Sequence, residues 1–297
     1  MGMAKPDFHG ININRIKQSS KKLSGNILST PTIFAHSLSN LLESSLYLKL
    51  ENLQFTSSFK SRGAFIALHE LDEKNKNIGV ITMSAGNHAQ AVAFRSQQQG
   101  IKSIIVMPEK TPFTKISKTK AYGAEIILTG RTLDESKLTV ERLINENGFQ
   151  LVHPFDDPHI ITGQGTIGLE IMDEVPNLDY LVIPIGGGGL ISGISIAAKS
   201  INPDIKIIGV ESELYPSMSR SLAGLNLQSG GDTLAEGIAV KTPGELTKPI
   251  VKELVDKIIL VNEQQIEWAI SALIQHQSII AEGAGAAGLA AIYASHE

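Results

Sequence analysis

Short apolar runs alternate with helix-length segments along most of this chain, and that alternation confines it to parallel sheets covered by helices. Val80–Met83 reads as a strand, followed by a glycine-containing turn and an alanine-rich helix through Ala89–Gln99. Ser103–Met107 is the next strand, ended by Pro108, and Lys115–Tyr122 reads as a helix stopped by Gly123. Glu125–Leu128 is a strand, and Leu133–Asn147 has helical spacing with Gly148 as its terminator. The pattern then restarts. Gly165–Glu174 looks helical, Tyr180–Ile185 is a strand, Gly186–Gly189 a loop, Leu190–Ser200 a helix and Ile205–Val210 a strand. Trp268–Gln275 continues a helix begun near Glu263, and Gly288–Ser295 starts another.

A chain of 297 residues exceeds one ordinary hydrophobic core and suits two. The expected division is a large domain from residues 1–69 and 153–297 and a small one from residues 70–152. The small unit should hold about four strands and three helices, given the usual lengths of such elements. No low-complexity linker or internal repeat separates the halves, so they should pack closely, with a cleft for a ligand between them.

Charge and cysteine usage narrow the partners. Lys and Arg number 26 against 30 Asp and Glu, a formal net charge of −4, so the basic face that nucleic acid or an anionic membrane needs is missing. Lys115, Lys118 and Lys120 read as a solvated helix face. The absence of cysteine excludes disulfides, thiolate catalysis and thiolate-bound metals, and it suits a reducing cytoplasm. Residues 1–10 are polar and unlike a signal peptide. No apolar run matches a bilayer; the closest, Ala284–Ala294, is rich in small residues.

Three local features point to chemistry. In Ser57-Ser58-Phe59-Lys60-Ser61-Arg62-Gly63-Ala64-Phe65, a helix capped by Ser57 or Ser58 would put Lys60 in its first turn. There the helix dipole disfavours an ammonium by about 0.3–1 kcal/mol. Burial would act in the same direction, and a lysine biased toward its free amine is what imine formation with an aldehyde needs. A lysine taken alone is more often a solvated surface residue. The second feature is Gly186-Gly187-Gly188-Gly189 between a strand and a helix, whose bare amides can wrap an anion. A tight turn is the bland alternative, but each glycine costs chain entropy that a turn does not require. No Gly-Lys-Ser/Thr follows, and Ser192 stands where a dinucleotide fingerprint needs its third glycine. Glu211, near the end of the next strand, keeps a nicotinamide reading open. The third feature is Ser84-Ala85-Gly86-Asn87-His88, which opens a helix and offers a second set of amides, sized for a carboxylate.

Taken together, these motifs resemble the serine/threonine dehydratases of the tryptophan-synthase-β fold, the fold type II pyridoxal-phosphate enzymes. The resemblance runs from about Ser29-Thr30-Pro31 to the C-terminus. It also rests on His153-Pro154-Phe155-Asp156-Asp157-Pro158, Gly163-Gln164-Gly165-Thr166, Ala235-Glu236-Gly237-Ile238-Ala239-Val240 and Glu282-Gly283-Ala284-Gly285-Ala286. It implies an α/β fold of two doubly wound parallel-sheet domains, with pyridoxal 5′-phosphate in the cleft between them. Lys60 matches the Schiff-base lysine and Asn87 the residue that hydrogen-bonds the cofactor's phenolic oxygen. Gly186, Gly187, Gly188 and Gly189, with the Leu190 amide, match the phosphate loop. Ser84, Ala85, Gly86, Asn87 and His88 match the loop that receives the substrate carboxylate. Phe59 is expected beside the cofactor ring or, about as readily, in the core. Glu282 is expected either near the site or as an exposed loop acid.

The implied reaction dehydrates L-threonine or L-serine to a 2-oxo acid and ammonia, with Lys60 taking the Cα proton. The implied enzyme is cytoplasmic and a homodimer or homotetramer. Cysteine synthases of the same fold carry Lys-Asp-Arg and Ser-Gly-Asn-Thr, where this chain has Lys60-Ser61-Arg62 and Gly86-Asn87-His88. Serine racemase is a nearer alternative, but its second-face serine is replaced here by Ala85. Of that enzyme's cation ligands, Glu211 matches one while Ser217 stands at another, so no metal is expected. The resembled enzymes continue to a Ser/Cys-Gly-Gly-Asn turn that serves the ring nitrogen. This chain stops at Glu297, so a shortened catalytic core or a weakly active cofactor-binding fragment is also expected.

Overall fold

The computed structural model describes residues 8–225 and 229–295; the reading of the chain end at Glu297, and most of that for residues 1–10, falls outside these. Helix α1 (Ile13–Leu23) is started by Asn12, whose side chain accepts the amides of Asn14 and Arg15, each at 3.1 Å. Strands β1 (Thr32–Phe34) and β2 (Tyr47–Lys49) pair antiparallel around helix α2 (His36–Leu41). Helices α3 (Lys60–His69) and α4 (Glu73–Ile78) lead into β3 (Val80–Met83), α5 (Asn87–Gln99), β4 (Ser103–Met107) and α6 (Phe113–Lys120). Next come β5 (Glu125–Leu128), α7 (Leu133–Asn147) and β6 (Gln150–Leu151). The chain continues through α8 (Pro158–Glu174), β7 (Tyr180–Pro184), α9 (Gly189–Ile201), β8 (Lys206–Ser212) and α10 (Ser217–Leu222). It closes with α11 (Thr247–Leu254), β9 (Lys257–Val261), α12 (Glu263–Gln277) and α13 (Gly283–Ala294).

Two parallel sheets carry the fold, in the orders β5-β4-β3-β6 and β7-β8-β9. Both are covered on two faces, as unbroken apolar strands require. Successive side chains of β4 split between the faces: Ile105 and Met107 join the core under α3 and α5, while Ile104 and Val106 join the one that includes Val140 of α7. The second sheet is built alike. Leu181, Ile183 and Ile207 pack with α8 and α9, whereas Val210 and Val261 pack with α12 and α13.

Several boundaries differ from the sequence reading. The β1–β2 pair and α4 lie outside its expectations. Helix α8 begins seven residues before the expected Gly165, because Asp157 accepts the amides of His159 and Ile160 at 2.7 and 3.1 Å and Pro158 tolerates the first turn. Its glycines are contact points rather than breaks. A Cβ on Gly163 would lie 2.6 Å from Gly63 Cα, so the pair brings the α8 and α3 backbones together. Gly163→Ala should therefore destabilise the protein. Overpacking against backbone costs about 1–3 kcal/mol, which exceeds the roughly 1 kcal/mol that alanine gains in helix propensity. A urea midpoint unchanged from wild type would show that the two helices separate freely.

Candidate active site

Lys60 is the first residue of α3. Of the two serines expected to cap that helix, Ser58 accepts the Lys60 amide through Oγ at 3.3 Å. Ser57 does not, since it and Thr56 are both left-handed, with φ of 53° and 59°, and they turn the chain into the helix. The Lys60 ammonium donates to the Pro154 carbonyl at 2.7 Å and lies 5.3 Å from the centre of the Phe59 ring. Phe59 itself packs on the core of the three-stranded sheet. Burial pulls the Lys60 pKa down to about 8, against a smaller upward pull from the Glu282 carboxylate. Reductive tagging of the cofactor-free protein with a small aldehyde and borohydride should therefore label Lys60 with a rate that rises with pH and is half-maximal near pH 8, followed by peptide mapping. A midpoint near 10.5, that of an ordinary lysine, would contradict the burial argument.

Ser84 follows β3 and Asn87 opens α5, so Ser84–His88 spans a strand end and a helix start. Ser84 Oγ accepts the Gly86 amide at 3.2 Å. The amides of Asn87 and His88 donate to no group among the described residues, as expected of a helix's first turn. The His88 ring donates from Nε2 to the Val152 carbonyl at 2.9 Å, leaving Nδ1 buried without a partner among the described residues. Burial, reinforced by the positive Lys60, lowers the His88 pKa to about 3, so the ring is neutral. Asn87 Nδ2 donates to Glu282 at 2.7 Å, which brings that acid to the site and not merely to a surface loop. Burial raises the Glu282 pKa, an effect opposed by the Asn87 hydrogen bond.

Gly186–Gly189 links β7 to α9, and each glycine is fitted to a neighbour. A Cβ on Gly187 would fall 2.2 Å from the Phe155 ring, one on Gly189 2.8 Å from the Phe155 carbonyl, and one on Gly186 3.2 Å from Ile238. Gly188 has φ of +97°, which other residues rarely adopt. Among the described residues the amides of Gly188, Gly189 and Leu190 have no acceptor, at the positive end of a 13-residue helix.

These pieces form one ring of contacts. Lys60 meets Pro154, Phe155 meets the glycine loop, the loop meets Ile238, and Gly237 adjoins Glu282. Glu282 holds Asn87, and His88 returns to Val152. Phe155 and Glu282 belong to motifs already singled out in sequence, but their contacts are tertiary. The Glu211 carboxylate faces elsewhere. Its two oxygens accept the Met218 and Ser219 amides at 2.7 and 2.9 Å, which uses it as the cap of α10 and leaves no free acid for a ribose. Among the described residues, no three His or acidic side chains are grouped to hold a metal. Among the same residues, no helix is long and apolar enough to cross a membrane.

Residues 23–297 match the family described as pyridoxal-phosphate dependent enzyme. L-threonine ammonia-lyase of Thermotoga maritima is 47% identical over 284 residues, 95% of this chain and 71% of that protein. The processed form of threonine deaminase isoform 2 from Solanum lycopersicum superposes with a TM-score of 0.88 at 38% identity, covering 95% of this chain and 85% of that one. Serine racemase from Dictyostelium discoideum gives a TM-score of 0.88 at 39% identity, with coverage of 95% and 91%. A lysine amine with a lowered pKa, a cradle of free amides and a fold shared with these proteins converge on one conclusion: the chain belongs to the pyridoxal-phosphate-dependent enzymes of fold type II.

Proposed function

We propose that the protein is an L-threonine ammonia-lyase, converting L-threonine to 2-oxobutyrate and ammonia, with L-serine giving pyruvate by the same route. The observation that carries this reading is Lys60, an amine of lowered pKa that meets Pro154 of the segment packed on an amide-lined glycine loop. Its sequence relatives named for threonine deamination, at 46–47% identity, support the substrate assignment over racemisation.

The residues present fit pyridoxal phosphate. The unsatisfied amides of Gly188, Gly189 and Leu190 suit its phosphate, and Lys60 suits its aldehyde. The cofactor, when bound, supplies an electron sink conjugated to the substrate nitrogen. Lys60 would anchor it through Nζ, and as a free amine would take and hold the substrate Cα proton at that atom. The free amides of Asn87 and His88 bind the substrate carboxylate, and Ser84 shapes their loop through its bond to the Gly86 amide. With the cofactor bound, Asn87 would hold its phenolic oxygen, Phe59 would pack beside its ring, and Ala85 would supply no acid or base of its own.

The reading divides the chain into a large domain, residues 1–69 and 153–297, and a small one, residues 70–152. Each half has its own parallel sheet, which supports the division. It also places the enzyme in the cytoplasm as a homodimer or homotetramer. Exposed Phe34 and Tyr47, whose ring centres lie 5.1 Å apart, form a small apolar patch that supports self-association. The deciding experiment incubates the purified protein and pyridoxal phosphate with each amino acid, following 2-oxo acid release and the chirality of unreacted serine. Rapid D-serine formation without 2-oxo acid would replace this reading by that of a racemase.

A further inference from the structure

Thr247, at the start of α11, is fully buried and lies sixty residues beyond the glycine loop in sequence. Its Oγ1 donates to the Gly187 carbonyl at 2.6 Å, and the Gly244 amide donates to the same oxygen at 3.1 Å. A second, longer contact of 3.2 Å joins Oγ1 to the Gly244 carbonyl. The Gly187 carbonyl is thus held by two donors on the α11 side. In a planar trans peptide the carbonyl and the next N–H point in opposite directions. Holding Gly187 O toward Thr247 therefore turns the Gly188 N–H away from Thr247, where it meets no acceptor among the described residues. A rotated peptide would reverse the dipole and present a carbonyl oxygen where the amide now stands, repelling any anion.

Thr247 is itself held. The Asp156 carboxylate accepts the amides of Glu245 and Leu246, each at 2.9 Å, and that of Thr247 at 3.3 Å. Asp156 follows Phe155, whose ring fills the space beside Gly187, and Pro154, whose carbonyl takes the Lys60 ammonium. One short segment thereby ties the amine and the amide cradle to the same support. Neither Asp156 nor Thr247 donates to or accepts from Lys60, Asn87 or Ser84.

We propose that Thr247, held in place by Asp156, is a positioning residue that sets the amide polarity of the glycine loop and hence its affinity for the cofactor phosphate. The proposal rests on the reading of Gly186–Leu190 as the phosphate loop, and the test separates the two. Cofactor-free protein is titrated with pyridoxal phosphate and with pyridoxal, which carries the same aldehyde without the phosphate. The ratio of the two affinities isolates the phosphate contribution. Thr247→Val removes the hydroxyl and keeps the shape. It should cut the preference for pyridoxal phosphate about tenfold, the order expected when one buried hydrogen bond to a charge-binding group is lost, and leave pyridoxal binding unchanged. Thr247→Ser should restore the preference, and Asp156→Asn should lower it. A merely structural role would weaken both ligands alike, and that result would overturn the proposal. So would a Thr247→Val protein with the wild-type ratio, or a Thr247→Ser protein that fails to recover it. Should Thr247→Val not fold, the ratios of the serine and Asp156→Asn proteins decide in the same way. A wild-type protein with no preference would remove the phosphate-loop reading itself, and this proposal with it.

Discussion

Lys60→Ala is expected to lower 2-oxo acid release from L-threonine by about 10³-fold or more, since on the proposed reading one substitution removes both the cofactor anchor and the general base. The fold should survive. Lys60 stands on the wall of the site, and truncation there gives up one hydrogen bond, to Pro154, without opening the core. Stability has a definite sign. The Lys60 amine is lowered from 10.5 to about 8 by burial, so between those values the folded protein binds fewer protons than the unfolded chain. Wild-type stability therefore gains from this group as pH rises from 8 to 10.5, and below 8 the cost of burying the ammonium is fully present. Cofactor-free Lys60→Ala should be at least as stable as wild type at pH 7, with any advantage shrinking as the pH rises through that window. Thermal melts at pH 7 and 10, together with 2-oxo acid assays, test both halves. Wild-type turnover in the alanine protein would end the case for Lys60 as base.

Arg62→Met should be the most destabilising single change near the site, by about 3–5 kcal/mol. The Arg62 side chain is wholly buried and bridges two acids. Nε and Nη2 donate to Glu51 at 2.9 and 2.7 Å, while Nη1 and Nη2 donate to Glu170 at 2.5 and 2.8 Å. Nη1 also reaches Thr166 at 3.1 Å. Methionine fills much of the space but leaves two carboxylates facing one another without the shared cation. Lys49, 2.8 Å from Glu170, compensates only that partner. Arg62→Lys should recover little, because an ammonium cannot reproduce the forked geometry. Urea unfolding measures the effect, and a loss below about 0.5 kcal/mol, the usual range for surface changes, would show that the network is dispensable. Because Arg62 lies two residues from Lys60 on α3, the same change should loosen the amine's position and reduce turnover of whatever protein remains folded.

The elements legible in the sequence are those whose signal is local. Leu133–Asn147 carries its own cap and stop: Thr132 accepts the Glu135 amide, and Gly148 ends the helix with φ of 76°. The alternation of β4 places its residues on two faces whatever covers them. Local signal failed where a distant partner changed a residue's meaning. Gly163 lay ahead of the helix expected from Gly165, yet both glycines lie inside α8, where α3 and α9 approach. Glu211 kept a nicotinamide alternative open from its place near a strand end, but the cap of α10 takes both of its oxygens.

The same division runs through the site. The sequence by itself determined that a lysine opens a helix after two serines, that four glycines join a strand to a helix, and that Asn87-His88 starts another. Each follows from short-range dihedral preference and apolar period. Only the tertiary structure decided that Glu282 meets Asn87 across 195 residues, that Phe155 fits against Gly187, and that Thr247 holds the Gly187 carbonyl. These are contacts of a few ångströms between segments far apart in the chain, and their selection depends on how both sheets pack at once. A hydroxyl such as that of Thr247 carries no sequence signature, because its role is defined by the one carbonyl that folding brings to it.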